Sequence, residues 1–338
     1  MFTKNKIIFF FTMILGTFIT ISSYSWLSMW IGLEINLLSI IPLFNNHNNK
    51  YPAESIMKYF IVQAFASTMI LFSICFFNTN NLMINSNWYN TSLSLMLNSA
   101  IFMKMGAAPF HFWVPEVTSG LTWNNILILL TWQKIAPMIM LSFNIKTPIT
   151  LTLIIIISTI ISGIQGMNQT NLKKIMAYSS INHTSWMISA MMMSTEIWLF
   201  YFLIYSLISS SIILMFKKFN IFSITQLAMI LTSNKTLKFT FFLNFLSLGG
   251  LPPFLGFFPK WTTIYYLIEN KFYFTSSLLI IFTLITLFFY LRLTFSAFSL
   301  SSKENLIIFF KYKSYLYISM NILSLMNLFS IMYSYSFL

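Results

Sequence analysis

Aspartate is absent from this 338-residue chain, arginine occurs once, at Arg292, and cysteine once, at Cys75. A lone cysteine excludes an internal disulfide framework and leaves no thiolate cluster for zinc or iron–sulfur ligation by this chain. Charged side chains make up only 7% of the residues while 57% are hydrophobic; a soluble domain carries about 25% charged residues. Water cannot be the solvent of such a surface. Period-2 alternation is missing too, so runs such as ITLTLIIIISTIISGI (149–164) exclude the short alternating strands of a membrane β-barrel.

What the chain has instead is apolar runs of the length, about 20 residues, that crosses a bilayer as a helix. They lie near 5–24, 25–44, 57–78, 92–115, 122–143, 148–168, 173–193, 196–216, 237–268, 274–299 and 315–336. The expected fold is an all-α polytopic membrane protein of about eleven transmembrane helices. Asn-rich connectors such as FNNHNNKYP and NTNNLMINSNWYN separate some spans, and none is long enough for a soluble domain. Lys4 and Lys6 before an apolar stretch have the charge order of a signal peptide. No small-residue cleavage site follows and the next span begins at once, so an uncleaved first span is expected. An Arg-rich amphipathic transit peptide is not signalled. The favoured residues, Phe, Ile, Met, Asn, Lys, Tyr and Ser, are largely those with A/T-rich codons, which points to an A/T-rich genome such as an animal mitochondrial one.

The net charge of +13 is mostly topology. Threading the spans alternately puts Lys4, Lys6, Lys50, Lys58, Lys173, Lys174, Lys217, Lys218, Lys235, Lys238, Lys303, Lys311 and Lys313 on or near the amino-terminal side. Only Lys146 and Lys271 fall on the other. Under the positive-inside rule the amino terminus faces the matrix or cytoplasm, and an odd number of spans puts the carboxyl terminus across the membrane.

Two spans interrupt themselves. KMGAAPFHFWVP (104–115) carries Gly106 and Pro109, and GGLPPFLGFFPKW (249–261) carries Gly249, Gly250, Pro252, Pro253, Gly256 and Pro259. Proline removes a backbone donor and clashes with the preceding turn, and glycine loosens the chain, so both helices should open at mid-depth. The breaks lie five spans apart, an odd offset that reverses direction across the membrane. The expected organisation is a first five-helix repeat at 1–145, a second, inverted one at 146–300, and a C-terminal loop with the last span at 301–338. Paired broken helices in inverted halves are the sequence pointer to a transport pathway.

Four ionisable residues fall inside spans: Glu34, Lys104, Lys134 and Lys260. A charge at the centre of a helix costs roughly 3 kcal/mol even on the lenient insertion scale, so four of them need partners or a purpose. Burial disfavours a charge and a nearby opposite charge restores it, so lysines poised between the two exchange protons. His111, after the first break, and His183, in YSSINHTSWM, are candidate relays or hydrogen-bonded structural residues. His47 lies in a connector. Ser179, Ser180, Asn182 and Thr184 are expected to pack helices or order water. The Met-rich ISAMMMS is expected to face lipid or pack.

WIGLEINLLSIIPL, KMGAAPFHFWVPEVTSGLTW, LTWQKIAP, GMNQTNLKKIMAYSSINH and NFLSLGGLPPFLGFFPKW occur in this order between residues 25 and 295. In these blocks the chain resembles the antiporter-like membrane subunits of mitochondrial NADH:ubiquinone oxidoreductase, respiratory complex I, in the subunit 2 lineage. The resemblance implies inverted five-helix repeats, each with a broken helix, and a hydrated chain of charges across the bilayer plane. It gives Glu34 and Lys104 the charge pair, Lys134 the connecting lysine and Lys260 the terminal lysine. It implies a shortened, eleven-span form in the mitochondrial inner membrane, with the amino terminus on the matrix side and the carboxyl terminus in the intermembrane space. Ser185 stands where a glycine is common, and nothing after residue 300 matches a motif.

The expected activity is proton translocation coupled to oxidation of NADH by ubiquinone, as one subunit of that enzyme. This chain has no flavin fingerprint, cysteine cluster or nucleotide loop. No cofactor or metal is expected on it, so NADH, FMN, iron–sulfur clusters and ubiquinone belong elsewhere in the assembly. The expected partners are other membrane-arm subunits, including neighbouring antiporter-like ones, and the lipid bilayer, with no nucleic acid. An autonomous cation/proton antiporter and a purely structural arm subunit are the alternatives.

Overall fold

The computed structural model describes residues 4–45, 50–80, 87–145, 147–231 and 235–299, and every regular element among them is a helix. His47, Lys146, Lys303, Lys311, Lys313 and the span expected at 315–336 lie outside the described residues. The helices are α1 (Lys4–Ser22), α2 (Trp26–Phe44), α3 (Lys50–Asn80), α4 (Asn87–Met105), α5 (Trp113–Gly120), α6 (Trp123–Leu130), α7 (Ile135–Ser142) and α8 (Pro148–Met167). They continue as α9 (Leu172–Met193), α10 (Thr195–Phe219), α11 (Ile224–Leu231), α12 (Lys235–Gly249), α13 (Phe257–Glu269) and α14 (Tyr273–Ser299).

Six stretches, Trp26–Phe44, Pro52–Phe77, Trp123–Ser142, Pro148–Met167, Thr195–Phe219 and Tyr273–Phe295, have the length and apolarity to cross a bilayer. Each coincides with a span expected from the sequence. The others depart for local reasons. The apolar part of α1 is shorter, Lys6–Ser22. The spans expected at 92–115 and 237–268 are broken into α4–α5 and α12–α13. α9 is too polar to count by hydropathy, yet every residue from Ile175 to Met191 is buried. A helix buried on all sides needs no lipid-facing stripe.

The ends are fixed by short-range chemistry. Ser25 caps α2 by accepting from the Ser28 amide at 3.2 Å, Asn171 caps α9 at the Lys173 amide, and Ser194 caps α10 at the Ile197 amide. Each hydroxyl or amide oxygen satisfies a donor that the first turn leaves open. α10 also begins with Glu196 and ends with Lys217 and Lys218 before the left-handed Asn220, charges placed to complement the helix dipole. Buried hydroxyls inside the helices donate back to the preceding turn, as Ser73 does to the Ile70 carbonyl and Ser158 to the Ile155 carbonyl. They therefore enter an apolar interior without leaving a donor unmet.

The chain divides at Ser158/Thr159 into two compact units. In the first, α1 and α2 pack most closely, at a crossing of two glycines. A Cβ on Gly16 would lie 2.9 Å from the Gly32 carbonyl oxygen and the Asn36 amide, and one on Gly32 would lie 2.8 Å from the Gly16 oxygen. Backbone meets backbone there, as small residues permit. α3 packs on α2, α4 and α5, and α7 on α1 and α4. In the second unit α9 packs on α10, α13 and α14, while α12 lies against α10 and α14. The Arg292 guanidinium donates to the Met167 and Gln169 carbonyls, tying α14 to the last carbonyl of α8 and to the turn after it.

Candidate functional site

In the first unit the break begins with Gly106, whose φ of +72° is a left-handed conformation that suits glycine. The space is also closed to a side chain, since a Cβ would lie 2.2 Å from Cγ2 of Val114. A cis Ala108–Pro109 bond follows, and the helix resumes at Trp113. The opened backbone finds partners: the Trp113 indole donates to the Met103 carbonyl at 3.1 Å, and the Gln63 amide to the Lys104 carbonyl at 3.3 Å. Lys104 closes α4 and is buried. His111 is buried in the break itself, its Nδ1 3.3 Å from the Pro109 carbonyl oxygen.

A further break was not expected. The span at 122–143 is interrupted by a 3-10 turn, Trp132–Lys134, between α6 and α7. Pro137 has no N–H to offer the Gln133 carbonyl four residues back, and its ring crowds that carbonyl. The turn carries Lys134 into the interior, where it is buried. Lys104 and Lys134 then line one cavity, together with Asn36, Tyr59, Gln63 and Gln133. Its volume is about 20 Å³, enough for a water molecule with polar partners. Glu34 is half-buried on α2 and does not line this cavity; its Oε1 is buried without a hydrogen-bond partner, and its carboxylate is not in ion-pair contact with the Lys104 ammonium.

The second unit repeats the break with a different lysine placement. Gly250 has φ +75°, Pro252–Pro253 is cis, and α13 starts at Phe257. Gly250 and Pro253 have the spacing of Gly106 and Pro109, and six residues further on Pro259 matches Pro115. In that register Lys260 corresponds to Glu116, not to Lys104. One lysine precedes its break and the other follows it. Glu116 is exposed and pairs with Lys58 at 2.9 Å, whereas Lys260 is buried. The Lys260 ammonium donates to the Gly249 carbonyl at 2.9 Å, a carbonyl released where α12 ends, and lies 5.7 Å from the centre of the Trp186 ring. A carbonyl and an aromatic face are both favourable partners for a buried cation.

One turn before Trp186 on α9, His183 is buried with its Nδ1 2.9 Å from the Tyr201 hydroxyl, and the Tyr205 ring lies 4.9 Å from its own. Ser179, Ser180 and Thr184 donate to their own helix, and Asn182 reaches Thr286 on α14 at 3.2 Å. Ile188, Ser189, Ala190 and Met191 are buried, so this end of ISAMMMS packs.

A family model described as NADH:quinone oxidoreductase/Mrp antiporter, TM, matches residues 23–289. The chain belongs to that family. Its breaks and buried lysines all lie within the matched segment. NADH-ubiquinone oxidoreductase chain 2 of Anopheles gambiae is 49% identical over 302 residues, covering 88% of this chain and 87% of the relative. The protein of the same name from Bos taurus is 40% identical over 300 residues, covering 86% and 84%. Among solved structures, respiratory complex I from Thermus thermophilus with bound aureothin holds a chain that matches with a TM-score of 0.85 at 22% identity, covering 96% of this chain and 77% of that one. The Mrp complex from Dietzia sp. holds one at 0.71 and 12% identity, covering 84% and 59%. These structures show the shared fold of the oxidoreductase and antiporter family.

Of the residues singled out from the sequence, the fold brings Lys104 and Lys134 to one cavity, with Glu34 outside its lining, and sets Lys260 against Trp186 and His183 against Tyr201 and Tyr205. Asn36, Tyr59, Gln63, Gln133, Trp186 and Tyr201 were not singled out. Only Gln133, adjacent to Lys134 in TWQK, carried a local signal.

Proposed function

We propose that the chain is a membrane-arm subunit of respiratory complex I that moves protons across the mitochondrial inner membrane as NADH is oxidised by ubiquinone. The observation that carries the chemistry is the cavity with two buried lysines, Lys104 and Lys134, on its wall. A proton is held at Lys104 when Glu34 pairs with it and is freed when that pairing is lost, and the cavity offers it a polar route to Lys134. Lys260, folded against an opened helix end and an aromatic face, is the corresponding proton carrier of the second unit. His111 and His183 are further relay candidates. Membrane interiors admit opened backbone only where protein or water satisfies it, which is the setting of both lysines.

The same glycine–proline device in each unit supports the reading as two five-helix repeats, 1–145 and 146–300, with a further segment at 301–338; the odd offset of five spans supports their inversion. Lysine asymmetry supports an amino terminus on the matrix side and a carboxyl terminus in the intermembrane space. The eukaryotic relatives named as chain 2 of the ubiquinone oxidoreductase support the inner-membrane location. NADH, FMN, iron–sulfur clusters and ubiquinone are assigned to other subunits. Exposed apolar side chains on α1, including Phe11, Leu15 and Phe18, suit lipid or neighbouring membrane-arm subunits, antiporter-like ones among them.

The test is the proton-to-electron ratio of the assembled enzyme in sealed inner-membrane vesicles carrying Lys104→Met or Lys260→Met. A fall in the ratio with assembly preserved is expected. Intact assembly with an unchanged ratio makes the lysines structural and sinks the proposal. Ion exchange by the chain reconstituted alone would instead favour an autonomous antiporter.

A further inference from the structure

Gln133 occupies the 3-10 turn directly before Lys134 and lines the same cavity as both lysines. Its carboxamide is held at both ends. The Nε2 group donates to the Asn36 Oδ1 on α2 at 2.9 Å, and the Oε1 accepts from the Tyr59 hydroxyl on α3 at 3.4 Å. Tyr59 is itself fixed, with its ring edge-on to Phe44 and to Trp113, each 5.6 Å away. One turn further along α3, Gln63 donates to the Lys104 carbonyl. Three parts of the first unit that are far apart in sequence therefore meet at one amide, between the helix that carries Glu34 and the turn that carries Lys134.

We propose that Gln133 is a positioning residue for proton transfer: clamped between Tyr59 and Asn36, its amide holds the Lys134 turn against the cavity and sets the hydrogen-bond direction of water between Lys104 and Lys134. The chemistry of the side chain suits this. A carboxamide donates and accepts, so it orders water, but it neither takes up nor gives up a proton in the physiological range. The donor sequence runs one way, from the Tyr59 hydroxyl to the Gln133 oxygen and from the Gln133 nitrogen to Asn36. A glutamate in its place has the same shape but carries a charge that would hold a proton or pin an ammonium beside the two lysines. Where Pro137 leaves the Gln133 carbonyl without its helical donor, the Gln133 side chain bonds this turn to α2 and α3.

The inference rests on the proposed role of the lysines, and the experiment separates the two. The assembled enzyme carrying Gln133→Leu, Gln133→Glu, Tyr59→Phe or Lys134→Met is compared in sealed vesicles for assembly, proton-to-electron ratio and the pH profile of pumping. Gln133→Leu and Tyr59→Phe are expected to lower the ratio by at least half as much as Lys134→Met. Gln133→Glu is expected to change the pH profile, which an isosteric replacement in a purely structural role would leave in place. If Lys134→Met itself leaves the ratio unchanged, the lysine reading fails and this inference with it. If Lys134→Met lowers the ratio while Gln133→Glu and Tyr59→Phe assemble with wild-type ratio and profile, the positioning role of Gln133 alone is overturned. Should Gln133→Leu fail to assemble, Tyr59→Phe, which removes one hydroxyl, and the isosteric Gln133→Glu still decide the matter.

Discussion

Adding one methyl group at Gly250 should dislodge Lys260 from its place without touching the lysine itself. The Cβ of Gly250→Ala would lie 2.8 Å from Cδ, 2.9 Å from Nζ and 3.0 Å from Cε of Lys260. These atoms belong to a flexible side chain, so the lysine moves rather than the backbone, and it gives up its bond to the Gly249 carbonyl. A charge-assisted hydrogen bond contributes about 1.5–3 kcal/mol. The left-handed backbone at φ +75° costs a residue with a Cβ roughly 1–2 kcal/mol more. Together the local perturbation is about 2.5–5 kcal/mol, concentrated on one ammonium group. Gly249 supplies the control, because its Cβ would meet Leu287 and Tyr290 at an ordinary 3.6–3.8 Å. The assay is the proton-to-electron ratio in sealed vesicles, with assembly followed in parallel. Gly250→Ala should pump less than Gly249→Ala at matched assembly. Equal ratios would refute the reasoning that the break exists to place Lys260.

Gly16→Ala, whose Cβ would press on backbone atoms at 2.9 Å, should destabilise the α1–α2 pair by at least the 1–3 kcal/mol typical of overpacking and lower the amount of assembled complex. Gly163→Ala is the contrast, since its nearest neighbour is the Ile285 side chain at 3.3 Å, and it should assemble nearly normally. Arg292→Lys keeps the charge but cannot reproduce the fork onto the Met167 and Gln169 carbonyls; losing one such bond should cost about 1.5–3 kcal/mol, visible as a lowered thermal midpoint of the assembled enzyme. Lys58→Gln removes exposed pairs to Glu54 and Glu116, and exposed pairs contribute little, so assembly and pumping should both stay at wild-type levels.

The positions of the helices were largely legible because a bilayer selects for them one segment at a time: an apolar run of sufficient length is a helix whatever its neighbours are. The breaks at Gly106 and Gly250 were legible for the same local reason, glycine and proline acting on the backbone that carries them. The interruption at Trp132–Lys134 left a fainter mark. Pro137 lies in a strongly apolar run, and its effect falls four residues earlier, on Gln133. α11 was hidden in a connector, being only eight residues long. α9 was recognisable as a span from its position, but its burial on every side was not, because hydropathy averages over faces and does not see what covers them.

The amino-acid sequence by itself determined the solvent, the run of helices, the places where two of them open, and which lysines lie inside spans, since each depends on composition or on residues within a turn or two of one another. Tertiary structure decided the partners. Gln133 meets Asn36 across 97 positions and Tyr59 across 74, Lys260 meets the Trp186 ring, and Lys104 shares a cavity with Lys134. Such meetings depend on how each helix is rotated about its axis when it packs, and that rotation is settled by side chains on other helices.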